Sequence, residues 1–164
     1  MIDIFVENID GDVEIINSYE ENISPCIDCR YCWENRGCSI KDDMQEIYNK
    51  IDKADNIIIA SPVYFHTVSG PLKIIIDRCQ VYWAGVLRGD KLDVGSKKGG
   101  ILLCGGAPEF DKQFTAAEIT LEGLLKDFGA RCLGIVTASN TDDKNVKDNA
   151  DVITEIKELS KAFN

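Results

Sequence analysis

Histidine and long apolar runs are the features that this sequence has least of. His66 is the single histidine among 164 residues, which argues against a metal site built on two histidines, and we expect it in a loop near the surface. No apolar run approaches the roughly 20 residues that cross a bilayer. Met1 is not followed by the basic and then apolar residues of a signal peptide. The sequence therefore predicts a soluble, cytoplasmic protein.

Basic residues are also outnumbered. The chain has 18 Lys and Arg against 28 Asp and Glu, which gives a net charge of −10. Such a charge repels the phosphates of nucleic acids and anionic membranes, so neither is expected as a partner. A nucleotide cofactor remains compatible with it, because backbone N–H groups can hold phosphates inside a pocket.

Cysteine, in contrast, is abundant, with seven residues. In a reducing cytosol this number predicts metal or redox chemistry, and an odd count fits a disulfide framework poorly. Four of them lie in a cysteine-rich loop, residues 25–40, with the spacing C-x2-C-x2-C-x5-C: Cys26, Cys29, Cys32 and Cys38. Three thiolates at this spacing can hold three corners of a [4Fe–4S] cluster, as in bacterial ferredoxins, and the fourth cysteine can complete it.

Two alternatives to the cluster stay open. Zinc also binds four thiolates, although structural zinc sites usually pair two C-x2-C knuckles across a longer spacer. The thiols could also be free or form a redox-active pair. The other three cysteines lie in apolar segments and are expected to be small buried hydrophobic residues: Cys79, Cys104 and Cys132.

Short apolar segments alternate with helical patterns along the chain. The predicted buried strands are Val13–Asn17, Asn56–Ala60, Gly100–Cys104 and Cys132–Thr137. Apolar residues at helical spacing predict helices over 44–51, 72–79, 121–128 and 152–159. This alternation predicts one α/β domain over residues 1–164, with an open parallel sheet and helices on both faces.

Two loops are candidates for ligand binding, because ligands of such sheets bind beyond the carboxyl ends of the strands. One follows the second predicted strand and contains Ser61, Pro62, Val63, Tyr64, Phe65 and His66. It offers backbone N–H groups, a proline-stiffened turn and aromatic rings. The other contains Cys104, Gly105 and Gly106, and its glycines allow the backbone to approach a ring closely. Together the loops predict a site for a flat, partly apolar heterocycle.

These motifs resemble the NADPH-dependent FMN reductase family, and within it the iron–sulfur flavoproteins. The resemblance is carried by the run Cys26–Cys38, by Lys41-Asp42-Asp43-Met44, by Ser61-Pro62-Val63-Tyr64, and by Leu72-Lys73 with Ile76-Asp77-Arg78. It implies a flavodoxin-like fold and an FMN whose isoalloxazine contacts residues 61–66 and 104–106. It also implies a [4Fe–4S] cluster on the four cysteines, NAD(P)H as electron donor, and a homodimer or homotetramer.

The sequence departs from this family at its beginning. Family members start with a strand, a Gly-Ser-Pro-Arg-like loop, and a helix whose N-terminus binds the FMN phosphate. Residues 1–9 are expected to be the remnant of that first helix, with the first strand and phosphate loop missing. A gap of about 10 Å, two inter-strand spacings, is then expected beside Asn56–Ala60. A hairpin between residues 2–6 and Val13–Asn17, a neighbouring subunit, or truncation would account for this gap, and we favour truncation.

Three functions are compatible with these residues. The leading hypothesis is an FMN-dependent oxidoreductase that passes electrons from NAD(P)H or a reduced carrier through flavin and the cluster. The second is a non-enzymatic flavin and iron–sulfur electron carrier that docks ferredoxin-like partners. The third is a zinc-stapled module with a degenerate flavin site. No side chain is assigned as a general acid or base, because redox chemistry of this kind belongs to the cofactor.

Overall fold

A four-stranded sheet lies at the centre of the part of the chain that the computed structural model describes, residues 1–90 and 95–164. Its strands are β1 (Asn56–Tyr64), β2 (Thr67–Val68), β3 (Lys97–Cys104) and β4 (Ala130–Ala138), in the order β2-β1-β3-β4. β1, β3 and β4 are parallel, and β2 pairs antiparallel with the end of β1. Three of the four predicted strands are therefore confirmed.

Helices connect and cover these strands. They are α1 (Ile2–Val6), α2 (Tyr31–Glu34), α3 (Met44–Lys53), α4 (Gly70–Arg78), α5 (Gln80–Arg88), α6 (Thr115–Asp127) and α7 (Ala150–Lys161), with a 3₁₀ turn at Val146–Asp148. The four predicted helices correspond to α3, α4, α6 and α7. No helix in residues 1–90 or 95–164 is long and apolar enough to cross a membrane.

Helices cover both faces of the sheet, as the apolar pattern of β3 requires. Ile101 and Leu103 belong to the core that includes side chains of α3, α4 and α6, while Leu102 belongs to the core with α1 and α7. Successive side chains of a strand point to opposite faces, so a strand that is apolar throughout must be buried on both sides. This is the flavodoxin-like α/β architecture that the sequence predicts.

The predicted strand Val13–Asn17 is wrong. These residues adopt no regular secondary structure, and Val13 and Ile15 are 45% and 60% exposed. An extended segment becomes a strand only when a neighbour completes its hydrogen-bond ladder. Among the described residues β1 pairs with β2 and β3 alone, so its edge along residues 56–62 has no partner strand.

The beginning of the chain is helical. α1 covers residues 2–6, and Phe5 packs edge-on against Phe163 with ring centroids 5.4 Å apart. A helix within residues 1–9 is therefore present over residues 2–6, and the alternative hairpin of residues 2–6 with Val13–Asn17 is wrong. The segment Gly85–Gly100 is helical as far as Arg88 and joins β3 at Lys97. Its residues 91–94 lie outside the described part.

Candidate functional site

The carboxyl ends of β1 and β3 lie side by side, which brings the two predicted flavin loops together. Pro62 is paired with Cys104 across the parallel ladder. The predicted loop 61–66 needs one correction, because its residues as far as Tyr64 belong to β1. Pairing with β3 on one side and β2 on the other extends the strand, so the turn is reduced to Phe65 and His66.

This two-residue turn has a left-handed backbone at both positions. Phe65 has φ 50° and His66 has φ 66°, as a type I′ hairpin turn requires, although neither is a glycine. The Phe65 side chain is fully exposed. The His66 ring lies edge-on to Phe110, with centroids 5.5 Å apart, and its Nδ1 is 3.3 Å from the carbonyl oxygen of Lys112. The hairpin tip thus presents aromatic surface beside the loop that follows β3.

Ser61 is held inside the strand rather than presented at the tip. It is 5% exposed, and its hydroxyl donates to the Pro62 carbonyl at 2.7 Å and accepts from the Ser69 N–H at 3.0 Å. The hydroxyl therefore connects β1 to the beginning of α4. Pro62 and Val63 are half-buried, whereas Tyr64 is 56% exposed.

The loop after β3 is pinned to the loop after β4. The Gly105 N–H donates to the Ala138 carbonyl at 2.8 Å, and the Gly105 carbonyl accepts from the Thr141 N–H at 3.1 Å. A Cβ at Gly106 would lie 2.5 Å from the carboxylate oxygens of Asp142. Side chains of this chain therefore already occupy the space beside these glycines.

A cavity of about 410 Å³ lies near the start of α6 and α7, and none of the predicted flavin-contact residues 61–66 and 104–106 lines it. Phe110 and Lys112, which contact His66, line it together with Thr137 from the end of β4. Gln113 also lines it, is 5% exposed, and has an Oε1 without a partner among the described residues. The volume falls in the range of small-molecule sites, about 300–1,000 Å³.

All four thiols of the cysteine-rich loop line a second cavity, which has a volume of about 270 Å³. Cys26 and Cys29 are exposed, and Cys32 and Cys38 are half-buried. Within residues 1–90 and 95–164, no three His, Cys, Asp or Glu side chains are arranged to hold a metal ion. The donor set and its shared cavity fit a thiolate-bound cluster, and the thiols would have to draw together when one binds.

The thiols of this loop differ in acidity. A hydrogen bond with the Ser39 hydroxyl, Sγ to Oγ 3.2 Å, lowers the pKa of Cys29. Partial burial raises the pKa of Cys32. The Arg88 guanidinium donates to the Cys32 carbonyl and forms an ion pair with Asp90 at 2.5 Å. A basic side chain of α5 thus supports the middle of the loop.

Both ends of the cysteine-rich loop meet at a buried ion pair. Arg78, at the end of α4, and Asp42 form two contacts of 2.7 and 3.1 Å, and their side chains are 0% and 9% exposed. Burial raises the pKa of Asp42, but hydrogen bonds from Arg78 and Ser24 outweigh it and leave the pKa below its usual range. The pair is therefore charged and almost completely desolvated.

The remaining three cysteines lie apart from this loop. Cys79 is buried, as predicted, while Cys104 and Cys132 are half-buried beside the two cores. Burial raises the pKa of all three thiols. They therefore remain protonated at neutral pH and are poor metal ligands.

Three residues near these sites have roles that local sequence patterns do not predict. Arg78 and Asp42 belong to the motifs that carry the family resemblance, but their pairing across 36 positions has no local signal. Phe110 belongs to none of the motifs described above. An aromatic residue two positions after the Pro108 turn, in a loop at the carboxyl end of a strand, is the signal that could have found it.

Comparisons with known proteins agree on one family. The family model described as NADPH-dependent FMN reductase matches residues 2–109. An iron–sulfur flavoprotein of Methanocaldococcus jannaschii is 34% identical over 108 residues, 66% of this chain and 53% of that protein. One from Archaeoglobus fulgidus is 45% identical over 60 residues, 37% of this chain and 31% of that protein. The chain thus spans about half the length, or less, of these curated relatives.

A solved structure has the same fold. It is described as an FMN-dependent NADH-azoreductase from Bacillus anthracis str. Ames Ancestor in complex with FMN. Its TM-score to this chain is 0.67 at 18% identity, and the match covers 99% of this chain and 88% of that one. At this identity the likeness concerns the fold alone.

Proposed function

The chain belongs to the NADPH-dependent FMN reductase family, and from that premise we propose that it acts as an FMN-dependent oxidoreductase with a [4Fe–4S] cluster. The observation that carries the proposal is the convergence of four thiols on one cavity, in a chain whose curated relatives are named iron–sulfur flavoproteins. NAD(P)H or a reduced carrier protein would supply the electrons. When bound, FMN supplies hydride and one-electron chemistry and the cluster supplies one-electron storage.

The flavin would lie at the carboxyl edge of the sheet, against residues 61–66 and 104–106. Two features support this location. The exposed rings of Tyr64 and Phe65 offer stacking surface, and the hairpin tip touches the loop after β3 through His66. The chain would hold these groups rigidly. Pairing of β1 with β3 and the bond from the Ser69 N–H to the Ser61 hydroxyl fix the strand that carries the hairpin.

The cluster would be held by the four cysteines of residues 25–40. The loop has left-handed backbone at Asp28 and Arg30, with φ 48° and 59°, and at Gly37, with φ 80°. These sharp reversals between consecutive cysteines let a short segment wrap around a compact group. Assembly as a homodimer or homotetramer belongs to the same proposal and follows from the family resemblance.

The test is an ultraviolet–visible spectrum of the anaerobically purified protein, combined with iron and zinc analysis. Resolved flavin bands, broad absorption at about 400 nm and roughly four irons per chain are expected, since thiolate-held clusters absorb by charge transfer. A colourless protein without iron would overturn both parts of the proposal. One zinc per chain would replace the cluster with a structural metal site.

A second function, that of a non-enzymatic electron carrier, is favoured by one observation. Cys26 and Cys29 are exposed on a chain whose net charge is −10, and this suits weak, electrostatically steered docking of a ferredoxin-like partner. Oxidation of NADH or NADPH by the purified, flavin-loaded protein separates the two functions. An oxidoreductase consumes the nucleotide, whereas a pure carrier does not.

A further inference from the structure

We propose that Arg78 and Asp42 are positioning residues that set the distance between the two ends of the cysteine-rich loop and thereby keep its four thiols around one cavity, so that they can draw together when a metal binds. As far as the metal is a [4Fe–4S] cluster, the proposal rests on the function proposed above. Whether this pair holds the loop ends is independent of which metal binds, and it can be tested separately.

The Arg78 guanidinium contacts the backbone on both sides of the loop. Its Nη1 donates to the Ser24 carbonyl at 2.8 Å, and its Nη2 donates to the Ile40 carbonyl at 3.3 Å. Ser24 lies two residues before Cys26, and Ile40 lies two residues after Cys38. One planar group therefore fixes the entry and the exit of the segment that carries the thiols.

Asp42 adds a second set of bonds at the same point. Its Oδ2 accepts from the Ser24 N–H at 2.9 Å, and its Oδ1 accepts from the Met44 N–H at 3.2 Å. The carboxylate thus joins the loop entry to the first turn of α3, whose Met44 is fully buried. Because both carboxylate oxygens also accept from Arg78, the loop ends, α3 and α4 meet in one network.

The loop itself contributes little to its own shape. Its helix α2 is four residues long and has no buried residue. Cys26 and Cys29 are exposed, and two of its non-glycine residues have left-handed backbone. Contacts with α5 support the middle of the loop, through the Arg88 bond to the Cys32 carbonyl and the ring contact of Trp33 with Trp83. Holding the two ends removes conformational freedom that these contacts leave.

Arginine is required because the contacts are those of a planar fork. The guanidinium reaches three residues at once and is 0% exposed, whereas a lysine ammonium is a single point charge. Asp42→Asn, Arg78→Met and Arg78→Lys therefore test the pair. Tyr48→Phe is a matched control, because it removes a buried hydrogen bond of 2.8 Å to the Arg78 carbonyl but leaves every guanidinium contact in place.

The experiment compares these variants with the wild-type chain after anaerobic reconstitution with iron and sulfide. We measure the rate at which a strong chelator removes the cluster absorbance, the midpoint potential, and the melting temperature. We expect Arg78→Met and Asp42→Asn to accelerate cluster loss at least about tenfold, since each removes hydrogen bonds between charged groups. Arg78→Lys should fall between them and the wild type. Tyr48→Phe should lower the melting temperature without changing the rate or the potential.

A parallel titration of the metal-free chains with Co²⁺, followed by the thiolate-to-metal charge-transfer band, separates the two proposals. Weaker Co²⁺ binding in the pair variants than in Tyr48→Phe supports the positioning role even when the wild type takes up no iron. Rates and Co²⁺ affinities equal to those of Tyr48→Phe overturn that role and leave the cluster proposal standing. A wild-type chain that binds neither iron nor Co²⁺ overturns both.

Discussion

Two cysteine substitutions should have opposite effects on iron content and stability. Cys29 is exposed in the cysteine-rich loop, and its thiol contacts the Ser39 hydroxyl at 3.2 Å. Cys79 is 3% exposed and lies in the core at the junction of α4 and α5. Cys29→Ser removes a proposed cluster ligand from the surface, while Cys79→Ala removes a buried sulfur that has no proposed role in metal binding.

The magnitudes follow from burial. In the metal-free chain Cys29→Ser should change the free energy of unfolding by no more than about 0.5 kcal/mol, as expected for an exposed site. Cys79→Ala should cost about 1 kcal/mol, as for deletion of one buried group of methylene size. For a chain of this length that cost lowers the melting temperature by about 2–4 °C. Iron should be lost in Cys29→Ser and retained in Cys79→Ala.

The assay is iron analysis after reconstitution, together with thermal unfolding of the metal-free chains followed by circular dichroism. Cys132→Ala serves as a second control, because Cys132 is half-buried and lies outside the loop. Full iron occupancy in Cys29→Ser would refute the ligand assignment. Iron loss in Cys79→Ala, at a temperature where that variant is folded, would refute the division of the cysteines into two groups.

Three further predictions concern packing, pH and the cofactor. Gly99→Ala should destabilise the fold by about 1–3 kcal/mol through overpacking, because a Cβ there would lie 2.9 Å from both methyl groups of the fully buried Leu125. The control is Gly123→Ala on the exposed face of α6, which should be neutral or stabilising in urea unfolding. An equal loss of stability in both variants would contradict this packing. The pKa of Asp42 is lower in the folded state than in the unfolded state, so the unfolded state binds more protons near pH 4. The free energy of unfolding should therefore fall as the pH decreases from about 4 through the folded pKa. Asp42→Asn should lose that part of the pH dependence, and an unchanged slope of the free energy of unfolding against pH would show that other carboxyls cause it. The 164-residue chain should bind FMN with a dissociation constant above about 1 μM, because its sequence lacks the Gly-Ser-Pro-Arg-like phosphate loop; a tighter constant in a fluorescence titration would contradict this.

Much of the fold follows from local patterns in the sequence. Apolar spacing behind Ser69 and Pro71 predicts α4, and Gly129, with φ 74°, ends the helix that contains Leu121. The apolar run in β3 predicts a strand that is buried on both faces. These signals are local because caps, turns and periodicity act over a few residues.

The errors come from interactions between distant parts of the chain. Val13–Asn17 has the composition of a strand, but a strand also needs a neighbour, and composition does not supply one. The extension of β1 to Tyr64 depends on its pairing with Thr67 and with β3. For the same reason the thiol spacing could be identified from sequence, while the Arg78–Asp42 pair that holds the loop ends could not.

The open edge of β1 has a consequence for the behaviour of the chain in concentrated solution. Within residues 1–90 and 95–164, no strand pairs with residues 56–62 on one side, and this edge carries three consecutive isoleucines, Ile57, Ile58 and Ile59, whose side chains are half-buried or buried. Uncharged, β-branched edges of this kind recruit strands from other molecules and promote aggregation. Pro62 interrupts the edge at one end, since it offers no N–H for a further ladder bond. Self-association should therefore increase with protein concentration, and it should decrease when a lysine replaces Asn56, which is exposed at the start of this edge.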